Sequence, residues 1–155
     1  MANIDLISIE RILDKSFFIP DYQRGYRWGK QQVDDLLNDL EEFYNDIKKD
    51  NNTERVYCLQ PLVVKKSERK AEEYYVIDGQ QRLTTIKILL SCLGLAKERQ
   101  YTVEYQTREG SADFLDSISE KQKEENADYY HMYYAKTTID TWLCKKDKDF
   151  KDKFL

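Results

Sequence analysis

The segment DGQQR, residues 78–82, lies between an apolar run typical of a strand and a leucine-rich run with helical spacing. Glycine permits a sharp turn there, and the first residues of the new helix offer backbone N–H groups and a dipole that favour an anion. Arg82, in the first turn, can add a forked pair of charge-assisted hydrogen bonds to a phosphate. The segment therefore has the composition of a phosphate-binding turn.

Side chains beside this turn extend the candidate site. The amides of Gln80 and Gln81 both donate and accept, so they could orient a phosphate, a base edge or a water molecule. Thr84 and Thr85 supply hydroxyls in the next helical turn. Asp78, at the end of the strand, could cap the helix or act as an acid, a base or a metal ligand.

The same turn also fits a purely structural role. Asp78 could be an ordinary helix N-cap before a glycine turn, and Arg82 could pair with an acid of the first long helix. A lone glycine turn is a weak motif. The chain has no GxxxxGK[ST] loop, so a nucleotide would bind without a P-loop.

A second polar and basic segment, IPDYQRGYRWGK, occupies residues 19–30. Its aromatic side chains could simply anchor the loop in the core. They could equally fix the shape of a loop that presents Gln23, Arg24 and Arg27 to a ligand. Because the two arginines are spaced by about one helical turn, both could reach the same ligand. The two segments could therefore converge on one anionic ligand.

Composition limits the classes of protein. The chain has 155 residues, 35% of them charged and 41% hydrophobic, which favours one soluble globular domain. No apolar run is long enough to span a bilayer and no signal-peptide core is present, so we infer a cytoplasmic protein without a membrane partner. The net charge of −4 opposes a broad nucleic-acid-binding face, whereas the acid-free cationic stretch 23–30 suits a phosphate-bearing ligand.

Cysteine and histidine usage excludes several kinds of site. The three cysteines are far apart and form no CxxC pair, so they are interpreted as buried free thiols. The single histidine, His131, rules out any site that needs two histidines from one chain, and we interpret it as a helix-face residue.

Hydrophobic periodicity places the motifs in an α/β arrangement. Helices are predicted over 4–13, 31–49, 80–98, 111–119 and 127–145, and strands over 17–19, 57–64, 74–77 and 101–107. Pro61 indicates that the strand predicted over residues 57–64 lies at an edge of the sheet or contains a bulge. The tail after residue 145 carries no capping signal, so the chain is expected to be a piece of a longer protein.

The strings FFIPDYQRGYRW and YYVIDGQQRLTT together closely resemble the N-terminal domain family of GmrSD-type type IV restriction endonucleases. This prokaryotic phage-defence family belongs to the ParB/sulfiredoxin-like superfamily, and the resemblance covers about residues 7–145. It implies a small ParB-like α/β domain with a mixed sheet and flanking helices over residues 1–120, and the start of a C-terminal helical extension over residues 121–155. Residues 58–61, CLQP, depart from the glycine-containing turn expected in relatives.

The resemblance implies that the DGQQR segment binds and hydrolyses a nucleotide. Asp78 and Gln81 are then the catalytic candidates, and Asp78 is also the candidate ligand of Mg²⁺. A nucleoside triphosphate is the implied cofactor. The nucleotide- or phosphate-binding candidates are Tyr22, Gln23, Arg24, Arg27, Gly79, Gln80, Arg82, Thr84 and Thr85.

Full-length members of the family usually carry an HNH-type nuclease half. One histidine cannot supply that motif, so the nuclease is expected elsewhere in the same polypeptide or in a partner chain. The leading interpretation is an NTP-hydrolysing regulatory domain that licenses a DNA nuclease, with DNA contacted by the full-length protein. A DNA-binding or ParB-like nuclease domain is one alternative. Another is a protein-interaction module that docks through its tyrosine-rich helix, and the oligomeric state is left open.

Overall fold

The computed structural model of the chain describes residues 9–50, 62–95 and 99–146. Its elements are α1 (Ile9–Ile12), β1 (Ser16–Ile19), α2 (Lys30–Asp50), β2 (Val63–Lys66), β3 (Glu73–Asp78), α3 (Gln80–Cys92), β4 (Thr102–Tyr105), α4 (Ser111–Asp116), a 3-10 turn (Glu120–Gln122) and α5 (Ala127–Cys144). The predicted α/β class, a mixed sheet with flanking helices, is confirmed.

The sheet has the strand order β2-β3-β1-β4, with β1 inside. Strand β1 pairs in parallel with β3 on one side and with β4 on the other, while β2 is antiparallel to β3. Because parallel strands end at the same edge, the segments that follow β1, β3 and β4 all emerge together. This carboxyl edge of the sheet is where a ligand is expected in an α/β fold.

One face of the sheet is buried by alternation of side chains along each strand. In β1, Phe17 and Ile19 are 3% and 1% exposed, and Val103 and Tyr105 of β4 are buried beside them. Side chains from α2, α3, α4 and α5 complete a single core with these strand residues. The strands that lead to the carboxyl edge are therefore fixed by one continuous apolar layer.

Helix α3 is buried along most of its length, unlike a surface helix with one apolar stripe. Every residue from Leu83 to Leu90 is buried, including the polar residues Thr84, Thr85 and Lys87. The Lys87 ammonium donates to Gln100 Oε1 and to Asp116 Oδ1, each at 2.8 Å. The polar groups of α3 are therefore satisfied inside the protein, as burial requires.

The two long helices follow the sequence pattern closely. The predicted apolar stripe of α2 is confirmed at Val33, Leu36 and Leu37, which are at most 2% exposed. Helix α5 begins after Asn126, whose side-chain oxygen accepts a hydrogen bond from Tyr129 N–H at 2.8 Å. It packs against α2 and α3 through a buried face of Tyr129, Met132, Ala135, Ile139 and Leu143. The predicted division near residue 120 stays a prediction.

Several predicted boundaries differ from the structure. The helix predicted to reach residue 98 ends at Cys92, where Gly94 has a φ of +89° and Leu95 N–H donates to Leu90 O at 3.2 Å. This is the hydrogen bond of a glycine-terminated helix end. The helix predicted over 111–119 ends at Asp116. Residues 1–8 and 51–61 lie outside the described residues, and with them the CLQP segment and most of the strand predicted over 57–64.

The cysteines only partly follow expectation. Cys92 is half-buried, and burial raises the pKa of its thiol to about 12. Cys144 is exposed, so its interpretation as a buried thiol was wrong. It is the last residue of α5.

Candidate functional site

The turn after β3 opens α3 without a side-chain cap. Gly79 is the N-cap residue with a φ of +100°, in the left-handed region that glycine tolerates, and no side chain caps the helix. Asp78 Oδ1 accepts the N–H of Gly79 at 2.9 Å instead of capping the next turn. The first turn of α3 also contains no acidic residue. The start of α3 therefore keeps the partial positive charge that attracts an anion.

Arg82 is held by an aromatic ring and not by a carboxylate. Its guanidinium carbon lies 5.5 Å from the centroid of the Trp28 ring, a cation–π contact. Among the described residues it forms no salt bridge, so the alternative pairing with an acid of α2 is not observed. Trp28 thus positions the guanidinium while leaving its charge available.

The two polar segments identified in the sequence are in contact. Gln23 Nε2 donates to the carbonyl of Ile77, at the end of β3, at 2.8 Å. Gln81 Nε2 donates to Gly25 O at 2.8 Å, and Gln81 Oε1 accepts the N–H of Arg27 at 2.9 Å. The loop after β1 is therefore fastened to both sides of the turn after β3.

The side chain of Gln81 is engaged with backbone in this structure. Because its amide already donates to Gly25 and accepts from Arg27, its observed role is to clamp the loop. The prediction that Gln81 is catalytic stays a prediction, and it requires the amide to turn from the loop towards a ligand.

Thr84 and Thr85 do not face solvent, contrary to the expectation of phosphate-binding hydroxyls. Both are 0% exposed. The Thr84 hydroxyl lies 2.7 Å from the Tyr105 hydroxyl, and that of Thr85 lies 2.7 Å from the Tyr26 hydroxyl and donates to Gln81 O at 2.8 Å. Burial raises the pKa of both tyrosines, which therefore stay neutral. The threonines therefore join α3 to the loop and to β4.

Arg27 is directed inward to a buried carboxylate. Its Nη1 is ion-paired with Asp128 of α5, which is 1% exposed, and also donates to Tyr26 O at 2.8 Å. Arg108 Nε lies 3.4 Å from the other oxygen of Asp128. A Cβ built on Gly25 would lie 2.8 Å from Asp128 Oδ2, so glycine is needed for this approach.

The remaining candidates lie at the surface of the site. Arg24 is exposed and forms no ion pair with the described residues, and Gln80 is the half-buried first residue of α3. Tyr22 is 69% exposed. It borders a groove of about 470 Å³ together with Phe18, Pro20, Arg69, Tyr75 and Gln106. This groove offers aromatic rings beside the exposed arginine loop.

Sequence reasoning missed Arg108 and Asp128. A signal for Arg108 was present, because Gln106 and Arg108 follow β4 much as Gln23 and Arg24 follow β1. Asp21 N–H donates to Gln106 Oε1 at 2.8 Å, which joins those two segments. No comparable signal marked Asp128, since its partners are set by the packing of α5.

The structure also bears on metal sites and membranes. Within the described ranges, no three His, Cys, Asp or Glu side chains come together as a metal cage. The interpretation of His131 as a helix-face residue is confirmed, since its Nδ1 lies 2.8 Å from Ala127 O on α5. None of the helices in the described part of the chain is both long and apolar enough to cross a bilayer.

Comparison with known protein families identifies the family of this chain. A family model described as GmrSD restriction endonuclease, N-terminal domain, matches residues 5–155. The matched region includes the carboxyl edge with both polar segments. No curated protein and no solved structure shows significant similarity to the chain.

Proposed function

Because the chain belongs to the GmrSD restriction endonuclease N-terminal domain family, we propose that it binds and hydrolyses a nucleoside triphosphate. In this proposal it is the regulatory domain of a phage-defence restriction protein, and nucleotide controls a DNA nuclease elsewhere in the same polypeptide or in a partner chain. The site is the carboxyl edge of the sheet.

The observation that carries the proposal is the meeting of two arginine-bearing segments beside an uncapped helix start. The hydrogen bonds of Gln81 to Gly25 and Arg27 join these segments. Backbone N–H groups at the start of α3, together with guanidinium groups that form no salt bridge among the described residues, make the kind of site that phosphates occupy in α/β proteins.

Several of the accessible candidates have a defined role in this proposal. Arg82 and Arg24 hold phosphate oxygens, and the N–H groups after Gly79 bind the same anion. Asp78 is exposed at the turn. Since Mg²⁺ is usually bound by one or two carboxylates together with substrate phosphates, Asp78 fits as its protein ligand. When bound, the ion would neutralise charge on the phosphate oxygens.

Base binding would use the groove beside Tyr22. Exposed aromatic rings such as Tyr22 and the partly exposed Phe18 and Tyr75 offer stacking surfaces for any base. The amide of Gln106 lies at the same groove and could contact a base edge. A nucleotide with its base in this groove and its phosphates at the start of α3 would pass across the loop that follows β1.

A calorimetric and thermal-shift titration with GTP, ATP, CTP and UTP, each with Mg²⁺, tests the proposal. A ligand at a hundredfold its Kd should raise the melting temperature by about 5–10 °C. Replacing Arg82 by Ala should weaken binding roughly tenfold or more, because a charge-assisted hydrogen bond is lost.

The matched control is Arg99→Ala. Arg99 is exposed and precedes β4, at the opposite edge of the sheet, so its loss should leave nucleotide affinity unchanged. Absence of binding by all four nucleotides to the folded protein would refute the proposal.

Direct DNA binding is the second candidate, and one surface favours it. The β2–β3 hairpin exposes Lys65 and Lys66 at the end of β2, and Arg69 and Lys70 in the connection that follows. Binding through these cations should weaken by about 0.9 log unit per log unit of salt for each phosphate neutralised. Gel shifts with modified and unmodified DNA over a salt series distinguish this candidate from a nucleotide sensor, whose affinity would not depend on DNA.

A further inference from the structure

Arg108 lies at the same carboxyl edge as the two segments described above. It follows β4 after a tight turn in which its N–H donates to Tyr105 O at 2.9 Å. Since β4 is parallel to β1, this turn emerges beside the loop that carries Arg24 and Arg27. Each of the three parallel strands β1, β3 and β4 is therefore followed by arginine at the same edge of the sheet, and Arg108 is the arginine that follows β4.

Asp128 lies between two of these arginines. The carboxylate side chain is 2% exposed, while the side chains of Arg27 and Arg108 are 34% and 35% exposed. Two guanidinium cations share one carboxylate, and neither forms a second ion pair with a carboxylate among the described residues. Part of each arginine side chain reaches solvent at the edge where the anion is expected.

Arg108 also carries an unsatisfied donor. Its Nε is buried and has no hydrogen-bond partner among the described residues, although Asp128 Oδ2 lies 3.4 Å away. A buried donor without an acceptor is uncommon in proteins, because desolvation of that group is not offset. A small shift of the guanidinium towards an added anion or towards Asp128 would satisfy it.

We propose that Arg108 is a further phosphate-contacting residue of this site, and that Asp128 is the positioning residue which holds Arg27 and Arg108 at its edge. This inference rests on the proposed function and extends the phosphate site from two strands to three. Asp128 fixes the loop twice, through its ion pair with Arg27 and through the close approach that only Gly25 permits.

The added arginine defines the class of ligand. Contributions from three adjacent strands, which together span about 10 Å, suit a chain of phosphates, because such a ligand can contact all three arginines through different phosphate groups. The site should therefore prefer inorganic tripolyphosphate and nucleoside triphosphates over monophosphates. Removing Arg108 should reduce that preference, whereas a general loss of structure would weaken all ligands alike.

Calorimetry with tripolyphosphate, GTP and GMP on four proteins tests the inference: wild type, Arg108→Gln, Arg108→Lys and Arg99→Gln. We expect Arg108→Gln to weaken tripolyphosphate binding about ten- to a hundredfold. Arg108→Lys should recover part of the loss, because it keeps the charge but not the fork. Arg99→Gln, at the other end of β4, should match wild type.

Asp128→Asn tests the positioning role. The shape of the side chain is retained while its charge is removed, so Arg27 and Arg108 lose their shared counter-ion. Tripolyphosphate affinity should fall although the asparagine side chain touches no ligand. Asp140→Asn is the control, because Asp140 is on the same helix and pairs with Lys136. Unchanged affinity in Asp128→Asn would refute the positioning role.

An NMR measurement on the wild-type protein avoids dependence on variants that fold poorly. The buried Nε–Hε group of Arg108 should give a protected arginine signal, assigned by its loss in Arg108→Lys, and this signal should shift when tripolyphosphate is added. If wild type binds none of the ligands, the proposed function fails. If wild type binds but Arg108→Gln binds equally well and the Nε–Hε signal does not move, only the present inference fails.

Discussion

Individual side chains at the carboxyl edge are arranged by contacts that depend on single atoms. Gly25 faces the buried carboxylate of Asp128 so closely that a methyl group has no room. Gln81 uses both ends of its amide on the backbone of the same loop. These contacts explain why glycine and glutamine occur in the two motifs, which their composition alone did not reveal.

Gly25→Ala should destabilise the protein. The new Cβ would lie 2.8 Å from Asp128 Oδ2 and 2.9 Å from its Cγ, so the ion-paired Asp128 side chain, the loop or α5 must shift. We expect the free energy of unfolding to fall by about 1–3 kcal/mol, as in other overpacked sites. Urea denaturation followed by circular dichroism measures this change.

Gly29→Ala is the matched control for that substitution. Its Cβ would meet only the flexible end of Gln32, at 3.4 Å. We expect no loss and at most a gain of about 0.4–1 kcal/mol from the less flexible unfolded chain. Equal destabilisation by the two alanines would contradict the assigned contact between Gly25 and Asp128.

The bounds of the helices show which sequence signals are sufficient to predict where an element begins and ends. Helices α2 and α5 match their predicted bounds within about one residue, because a long apolar stripe defines one and Asn126 caps the other. The end of α3 was misplaced because apolar residues continue past Gly94. Only the left-handed backbone at Gly94 ends the helix.

The contact between α2 and α5 should contribute stability that depends on pH. Glu41 of α2 accepts hydrogen bonds from Lys146 and from Trp142 Nε1, and the hydrogen bond from Lys146 is the main cause that lowers the pKa of Glu41. The contribution is therefore complete above the unfolded-state pKa, about 4.5, and is lost as the pH falls through the lower folded-state value.

Glu41→Gln should remove this contribution. We expect a loss of about 0.5–1 kcal/mol at pH 7, the range of a partly exposed ion pair, and a smaller difference from wild type at pH 3. Urea unfolding of both proteins at the two pH values gives the comparison. Glu42→Gln is the control, since Glu42 is exposed on the same helix. A difference that persists unchanged at pH 3 would exclude the carboxylate as its source.

The molecule as a whole determines the parts of the site that the sequence could not predict. Arg108 and Asp128 are separated along the chain but meet because β4 is parallel to β1 and α5 packs across α2 and α3. Sequence spacing points to Thr84 and Thr85 as site residues because it does not reveal that every residue of α3 from Leu83 to Leu90 is buried. Strand order and helix packing are long-range properties, which local periodicity does not encode.

A chain that ends at residue 126 should not fold cooperatively. It would lack the buried face of α5, including Met132 and Ile139 at 0% exposure, and would leave Arg27 without Asp128. Thermal unfolding of this fragment should show no sharp transition, whereas a chain ending at residue 146 keeps every described contact of α5. Cooperative folding of the shorter fragment would instead support an independent domain over residues 1–120.

The burial of α3 has a mechanical consequence. The helix has 13 residues and so extends about 20 Å, from Gly79 at one end to the Leu93–Gly94 turn at the other. Close-packed neighbours prevent α3 from bending in the middle, and the hydrogen bond from the Lys87 ammonium to Asp116 attaches it to α4. A displacement of the first turn of α3 should therefore move the whole helix as a rigid body. A protein surface in contact with its C-terminal end would then be displaced as well.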